Sequence, residues 1–397
     1  MYAVLINILL FSILLIVHFF KNKRITAPSV VLFLYWFVSL GGLYICKNEP
    51  QFQSMSVICS MYYFIVVYLF FIPVLKSGIK PQKIVIYETN LFKAFLYFYL
   101  FIAIVASIGY LQYILEVLST GDWLMLKTNA YEGEMNLSNG ILDILSRITV
   151  SIVNYFIIFY GFYCLTKSDK TIKQSVFWII VGLVPTLLAD LSSAYRGGLA
   201  ITFLLILFFY LFFSKDILER NKKYITLFLT IISIFLFVFI IAISLSRFDE
   251  GFIESIASYF GQSMVNYNYG IASRIDSYSG GKFFLGNLLG LSMDQIMVDS
   301  KYGMLTNNGR DLNTFVGILI FDFGFVFTCV ISLLVSSFMC KKFKRKSIDA
   351  ADCLLFVFYL YFITNGVFHF PWNYAQSCLY MLFFYMVLRL SNRQLIV

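Results

Sequence analysis

The chain reads as an all-α, polytopic transmembrane helix bundle of about eleven spans, with one long periplasmic loop that contains short interfacial helices. Three observations predict this. Of the 397 residues, 60% are hydrophobic and only 13% are charged. The apolar residues fall in runs of sixteen to twenty-five, about the length that crosses a bilayer's hydrocarbon core. The connections between runs alternate between basic and polar or acidic, which is how membrane proteins encode orientation. A soluble chain of this length divides into two or three domains, whereas repeated spans argue for a single integral membrane domain over 1–397.

The first run, 3–20, has no basic stretch before it and no small-residue cleavage site, and Lys21, Lys23 and Arg24 follow it. It therefore reads as a retained helix, not a cleaved signal. The second and third runs, 29–46 and 56–75, flank a small connection and lead to Lys76, Lys80 and Lys83. The fourth and fifth, 92–115 and 143–165, enclose an acidic, polar stretch and lead to Lys167, Lys170 and Lys173. The sixth and seventh, 175–190 and 196–213, meet at "LSSAYRGG", and Lys215, Arg220, Lys222 and Lys223 come after them. The eighth, 224–245, opens into 246–313, by far the longest segment without a span. The ninth, 314–338, has Asn313 or Thr314 as its N-cap and runs into "KKFKRK". The tenth and eleventh, 352–368 and 374–390, end at Arg389 and Arg393. The basic connections are cytoplasmic by the positive-inside rule, which puts the N-terminus outside and the C-terminus inside.

The net charge of +9 sits almost wholly in those short connections, a mark of orientation and not of a nucleic-acid stripe, so no nucleic acid is expected as a partner. Seven cysteines are scattered with no CxxC and no Cys/His cluster at metal spacing, which argues against structural zinc and for packing roles. A Cys46–Cys59 bridge stays open at this point. The long loop is too rich in aromatics and isoleucines to be a disordered tail. Within it "FIESIASYFGQSM" gathers Phe252, Ile253, Ile256, Ala257, Phe260 and Met264 on one face, the pattern of a helix lying along the membrane interface. "FFLGNLLGLSMDQIMV" is short and broken by Gly286 and Gly290, which suits an interfacial or re-entrant helix.

Outer-face cations are few and mostly arginine: Arg147, Arg196, Arg247, Arg274 and Arg310. Lysine is the usual orientation signal, whereas arginine supplies a planar, permanently charged fork suited to phosphate. Arg196, Arg247 and Arg310 stand where spans meet the outer surface, and together they would hold the headgroup of a phosphate-bearing amphiphile; snorkelling beside Asp190, Asp249 and Asp311 is the structural alternative. Gly197 and Gly198 free the first amides of the seventh span to face an anion, with the hydroxyls of Ser192, Ser193 and Tyr195 beside them. Helix packing through small residues explains the glycines as well. His369, in "NGVFHFPWNY", is the candidate base, and Asp322, about two turns into the ninth span, is a carboxylate expected to face the interior and pair with an arginine or a sugar hydroxyl. No Walker motif, HExxH or GxSxG is present. Chemistry would then rest on an activated, lipid-linked substrate with arginines in place of a metal, and no cofactor.

"SSAYRGGLAITF" opening one span and "RDLNTFVGILIFDFGFVFTCVISLL" leading into another, with a long outer loop in the second half, resemble the bacterial O-antigen and capsule repeat-unit polymerases of the Wzy type. The resemblance implies a GT-C-like integral glycosyltransferase of the inner membrane with its site facing the periplasm. Its partners would be undecaprenyl-pyrophosphate-linked oligosaccharide and membrane lipid, with a chain-length regulator left open. The growing glycan would pass from its lipid carrier to the sugar end of a new lipid-linked repeat. Arg196, Arg310, Asn313, Thr314, Asp322 and Gly324 match the motif positions. The odd span count departs from the even count expected of such proteins. Two rival readings remain: a ligase using the same lipid-linked glycan, and a transporter or flippase for it. A flippase calls for paired halves and charges near the midplane, and the chain shows neither.

Overall fold

In a computed structural model the described residues are 1–76, 79–120, 141–192, 195–245, 252–272, 278–286, 288–290, 314–368 and 375–393. They are all-helical, with no strand among them. In chain order the helices are α1 (Tyr2–Asn22), α2 (Ala27–Asn48), α3 (Val57–Lys76), α4 (Asn90–Thr120), α5 (Ile141–Cys164), α6 (Ile172–Ser192) and α7 (Arg196–Phe213). They continue with α8 (Glu219–Leu245), α9 (Phe252–Val265), α10 (Lys282–Leu285), α11 (Phe315–Phe343), α12 (Ala350–Asn365) and α13 (Ala375–Arg393), and a π-helical turn, Asn266–Ala272, extends α9.

A helix stands at each of the eleven predicted spans. Among the described residues seven are long and apolar enough to cross a membrane: α1, α2, α3, α4, α6, α8 and α11. Shorter apolar stretches occupy α5, α7 and α12. Leu227, Ile231, Ile234 and Val238 line one stripe of α8, and each is more than half exposed. Such a stripe is unfavourable against water and favourable against lipid. The chain is a membrane-embedded helical protein.

Two compact units make up the chain. The first comprises Met1–Ile79, Ile253–Arg345 and Leu360–Leu379. Here α1 ends on Lys23 in the left-handed region, and Pro28 in the first turn of α2 starts the return. Trp36 Nε1 donates to Ser12 Oγ at 2.9 Å, stitching α2 to α1. The α9 segment, whose one-sided apolar face suits an interfacial helix, packs on α2. A Cβ on Gly41 of α2 would lie 2.7 Å from the Ala257 carbonyl, so the two backbones touch, while Phe260 packs on Phe37 and Phe368 and Met264 is buried. A one-sided apolar helix can seat on lipid or on another helix; the small residues Ala257 and Gly261 decide for the helix. The π-turn is anchored to α3, where the Asn268 amide accepts from the Ser56 N–H and donates to Ser56 O and Ser60 Oγ, and the Tyr267 hydroxyl donates to Cys59 O. All seven cysteines are free thiols, Cys46 and Cys59 included.

The second unit comprises Lys80–Phe252, Lys346–Tyr359 and Tyr380–Val397. Its centre is α5, buried at every residue from 153 to 165. Phe159 meets Phe209, Phe213 and Phe356 in an aromatic core. Three polar side chains are buried together beside it: Tyr99 donates to the Asn154 carbonyl, and the Asn154 amide donates to Thr186 Oγ1 at 2.6 Å. A polar group in an apolar interior is tolerable only when bonded in this way.

Candidate functional site

Two carboxylates lie within apolar helices, one in each unit. In the second unit Asp190 lies in the last turn of α6 and keeps partial exposure. The chain turns at once: the Tyr195 N–H donates to the Asp190 carbonyl at 2.8 Å, and Tyr195 is the N-cap of α7. That turn brings the first residues of α7 back onto the carboxylate. A Cβ on Gly198 would run into Asp190 Oδ1 and Cγ, and would stand 2.6 Å from Tyr195 Cδ1. Gly198 is thus required by close approach. Further along, Thr202 Oγ1 lies 3.4 Å from Asp190 Oδ2 and 2.9 Å from the Tyr155 hydroxyl of α5.

This corrects the expected arrangement of the "YRGG" mouth. Gly197 and Gly198 are buried, and an internal carboxylate stands against the first turn of α7, the end of a helix that favours negative charge. A ligand anion and an internal one call for the same small residues, so sequence alone does not separate them. The Ser192 hydroxyl, expected as a further donor to a ligand, is spent on Ala189 O at 2.9 Å.

In the first unit α11 is not one helix. Gly324 has φ 76 and ψ 173, a conformation essentially reserved for glycine, and it breaks the rod. The Tyr278 ring lies over it, 3.0 Å from where a Cβ would be. The segment from Tyr278 to Gly286 fills the break. Backbone N–H groups of Ser279, Gly280 and Gly281 donate to Phe321 O and Asp322 O. The Asp322 carboxylate accepts the Ser279 hydroxyl and the N–H groups of Phe283 at 3.0 Å and Phe284 at 2.8 Å. Asp322 is buried, as expected, and among the described residues its partners are the chain's own Ser279 hydroxyl and the Phe283 and Phe284 amides, free N–H groups at the start of α10. Ahead of the break, Thr314 caps α11 by accepting the Gly317 N–H at 3.2 Å, as the sequence suggests.

No family model, no curated protein and no solved structure matches this chain.

Of the sequence-predicted residues, Tyr195, Gly197 and Gly198 come together at the mouth of α7, and Arg196 is described there through its backbone alone. Thr314, Asp322 and Gly324 come together on α11. Arg247, Arg274, Arg310, Asn313 and His369 lie outside the described residues. Sequence reasoning undervalued Asp190 and did not foresee the break in α11. The available signals were a carboxylate seven residues before a glycine pair, and an Asp-x-Gly inside an apolar run.

Proposed function

We propose that the chain is a membrane glycosyltransferase of the repeat-unit polymerase type, in which undecaprenyl-pyrophosphate-linked oligosaccharide is both donor and acceptor. The observation that carries this reading is the mouth of α7, where the "YRGG" stretch opens an apolar helix directly against Asp190. An arginine and a carboxylate meet here where two apolar helices turn into one another, and ionisable groups within membrane segments mark functional sites by default. The eleven-span GT-C-like arrangement and the placement of this mouth at the periplasmic face of the inner membrane belong to the same reading, supported by the alternation of basic connections along the chain.

In this reaction an acceptor hydroxyl attacks the anomeric carbon of the donor glycan. The bond to phosphate breaks, and its electron pair leaves with undecaprenyl pyrophosphate. Arg196, Arg247, Arg274 and Arg310 supply permanent positive charge that is worth more as the leaving group gains negative charge than in the ground state. Tyr195, the N-cap of α7, stands at the same mouth. Asp322, whose oxygens accept a hydroxyl and two amides, acts in this reading by seating the loop segment on α11.

The test is a deletion strain complemented with variants and read by the banding of its surface polysaccharide. A polymerase deletion leaves single-repeat glycan on the surface lipid; a ligase deletion leaves none; a flippase in liposomes moves lipid-linked repeat without extending it. Arg196→Ala and Arg310→Ala should each lower chain extension about a hundredfold, the effect of losing about 3 kcal/mol of leaving-group stabilisation. Normal ladders from Arg196→Ala would remove that residue from the site.

A further inference from the structure

The attacking hydroxyl must lose a proton, and the α7 mouth contains a carboxylate placed to receive it. We infer that Asp190 is that proton acceptor, an assignment that rests on the polymerase reading. The argument starts from hydrogen-bond direction. Thr202 donates its one hydroxyl proton to Asp190 Oδ2 at 3.4 Å. Thr202 Oγ1 must then accept from its other partner, and Tyr155 donates to it at 2.9 Å. Tyr155, Thr202 and Asp190 form a directed chain from α5 through α7 to α6, with the carboxylate at its end.

Each member has a packing reason to hold its place. Tyr155 and Thr202 are buried, so their hydroxyls are kept in one geometry. Gly198 carries no side chain, and a Cβ there would collide with the Asp190 carboxylate, so the first turn of α7 closes directly onto it. The partial positive charge of that turn faces the acid. Asp190 also retains partial exposure, which a group that meets substrate requires. An oriented, supported and reachable carboxylate next to the arginine proposed to hold pyrophosphate is the arrangement a general base needs.

The proton balance closes within the reaction. As the acceptor oxygen bonds to the anomeric carbon, its proton moves to an Asp190 oxygen. The anomeric carbon–oxygen bond to phosphate breaks, and the electron pair stays on pyrophosphate. Asp190 then returns the proton to the departing pyrophosphate or to water, and no oxidant, metal or cofactor enters.

The experiment uses full-length protein in liposomes with lipid-linked single repeats extracted from the deletion strain. Asp190→Asn keeps the shape and the bond from Thr202 but cannot take the proton. It should lower kcat for chain extension at least about a hundredfold with KM within a few-fold of wild type. Asp190→Glu should recover part of that loss, and Asp190→Ala should regain turnover with added formate, which a merely structural role would not produce. Wild-type kcat in Asp190→Asn, with wild-type protein extending normally, overturns the inference and leaves the polymerase reading intact. Loss of folded protein in Asp190→Asn that is matched in Asp190→Glu, with no formate rescue in Asp190→Ala, also overturns it. A deletion strain that still makes long chains removes the polymerase reading, and the assignment of Asp190 falls with it.

Discussion

Replacing Asp322 with alanine should release the loop segment from the break in α11. The carboxylate accepts three donors: the Ser279 hydroxyl and the Phe283 and Phe284 amides at 3.0 and 2.8 Å. Hydrogen bonds to a charged group contribute about 1.5–3 kcal/mol each, but they are not additive and the freed amides can reach water once the segment lifts. A net loss of about 3 kcal/mol in the local closing free energy is the reasonable expectation, or about two orders of magnitude in opening. Amide hydrogen exchange followed by mass spectrometry on peptides covering Phe283 and Phe284 reads this directly, with peptides from α5 as the folded control. Ser279→Ala removes one of the three bonds and should speed exchange at the same amides only about five- to tenfold, for roughly 1 kcal/mol. Unchanged exchange at Phe283 and Phe284 in a folded Asp322→Ala protein would show that the carboxylate does not hold the segment.

Two further outcomes follow from the second unit. Burial pushes the Glu88 carboxyl up, but the bonds from Lys170 at 2.7 Å and Tyr160 at 2.6 Å outweigh it, leaving the pKa below the ordinary 4.5. Burial likewise works against the Lys170 charge, and Glu88 outweighs it, holding that pKa above 10.5. The Glu88 contribution is therefore present above its unfolded pKa and lost as pH falls through the lower folded one, while the Lys170 contribution is lost as pH rises through its raised value. Glu88→Gln should lower the thermal midpoint near neutrality and flatten its fall as pH drops below about 4.5. Asn154→Leu should cost about 2 kcal/mol by taking the closer partner from the buried Tyr99 hydroxyl, which keeps only Val181 O at 3.4 Å. Adding Tyr99→Phe should return part of that loss in a thermal-unfolding double-mutant cycle.

The helices were legible because a bilayer demands long apolar runs, and such runs are hard to mistake. Thr314 was legible as a cap because capping is decided within four residues. Distance along the chain is what hid the rest. Asn268 bonds Ser56 and Ser60, more than two hundred residues away, and nothing local announces such a clasp. The α9 face was legible as apolar, but its partner was not, because lipid and a neighbouring helix select the same side chains. Asp322 was legible as a buried carboxylate, while its donors sit in a loop whose path the sequence does not reveal. At the α7 mouth the need for small residues was legible, and the identity of the anion behind it was not.

The break at Gly324 also changes how much of α11 needs to cross the hydrocarbon. From Phe315 to Asp322 every residue is buried in protein. The stretch from Phe325 to Phe343 carries the outward apolar stripe of Val326, Phe327, Val330, Leu333, Leu334 and Phe338. At 1.5 Å per residue those nineteen residues span about 28 Å, close to a full bilayer thickness by themselves. The outward apolar stripe thus lies wholly on the second piece, and the glycine marks the point at which this helix stops presenting such a face and becomes enclosed by protein.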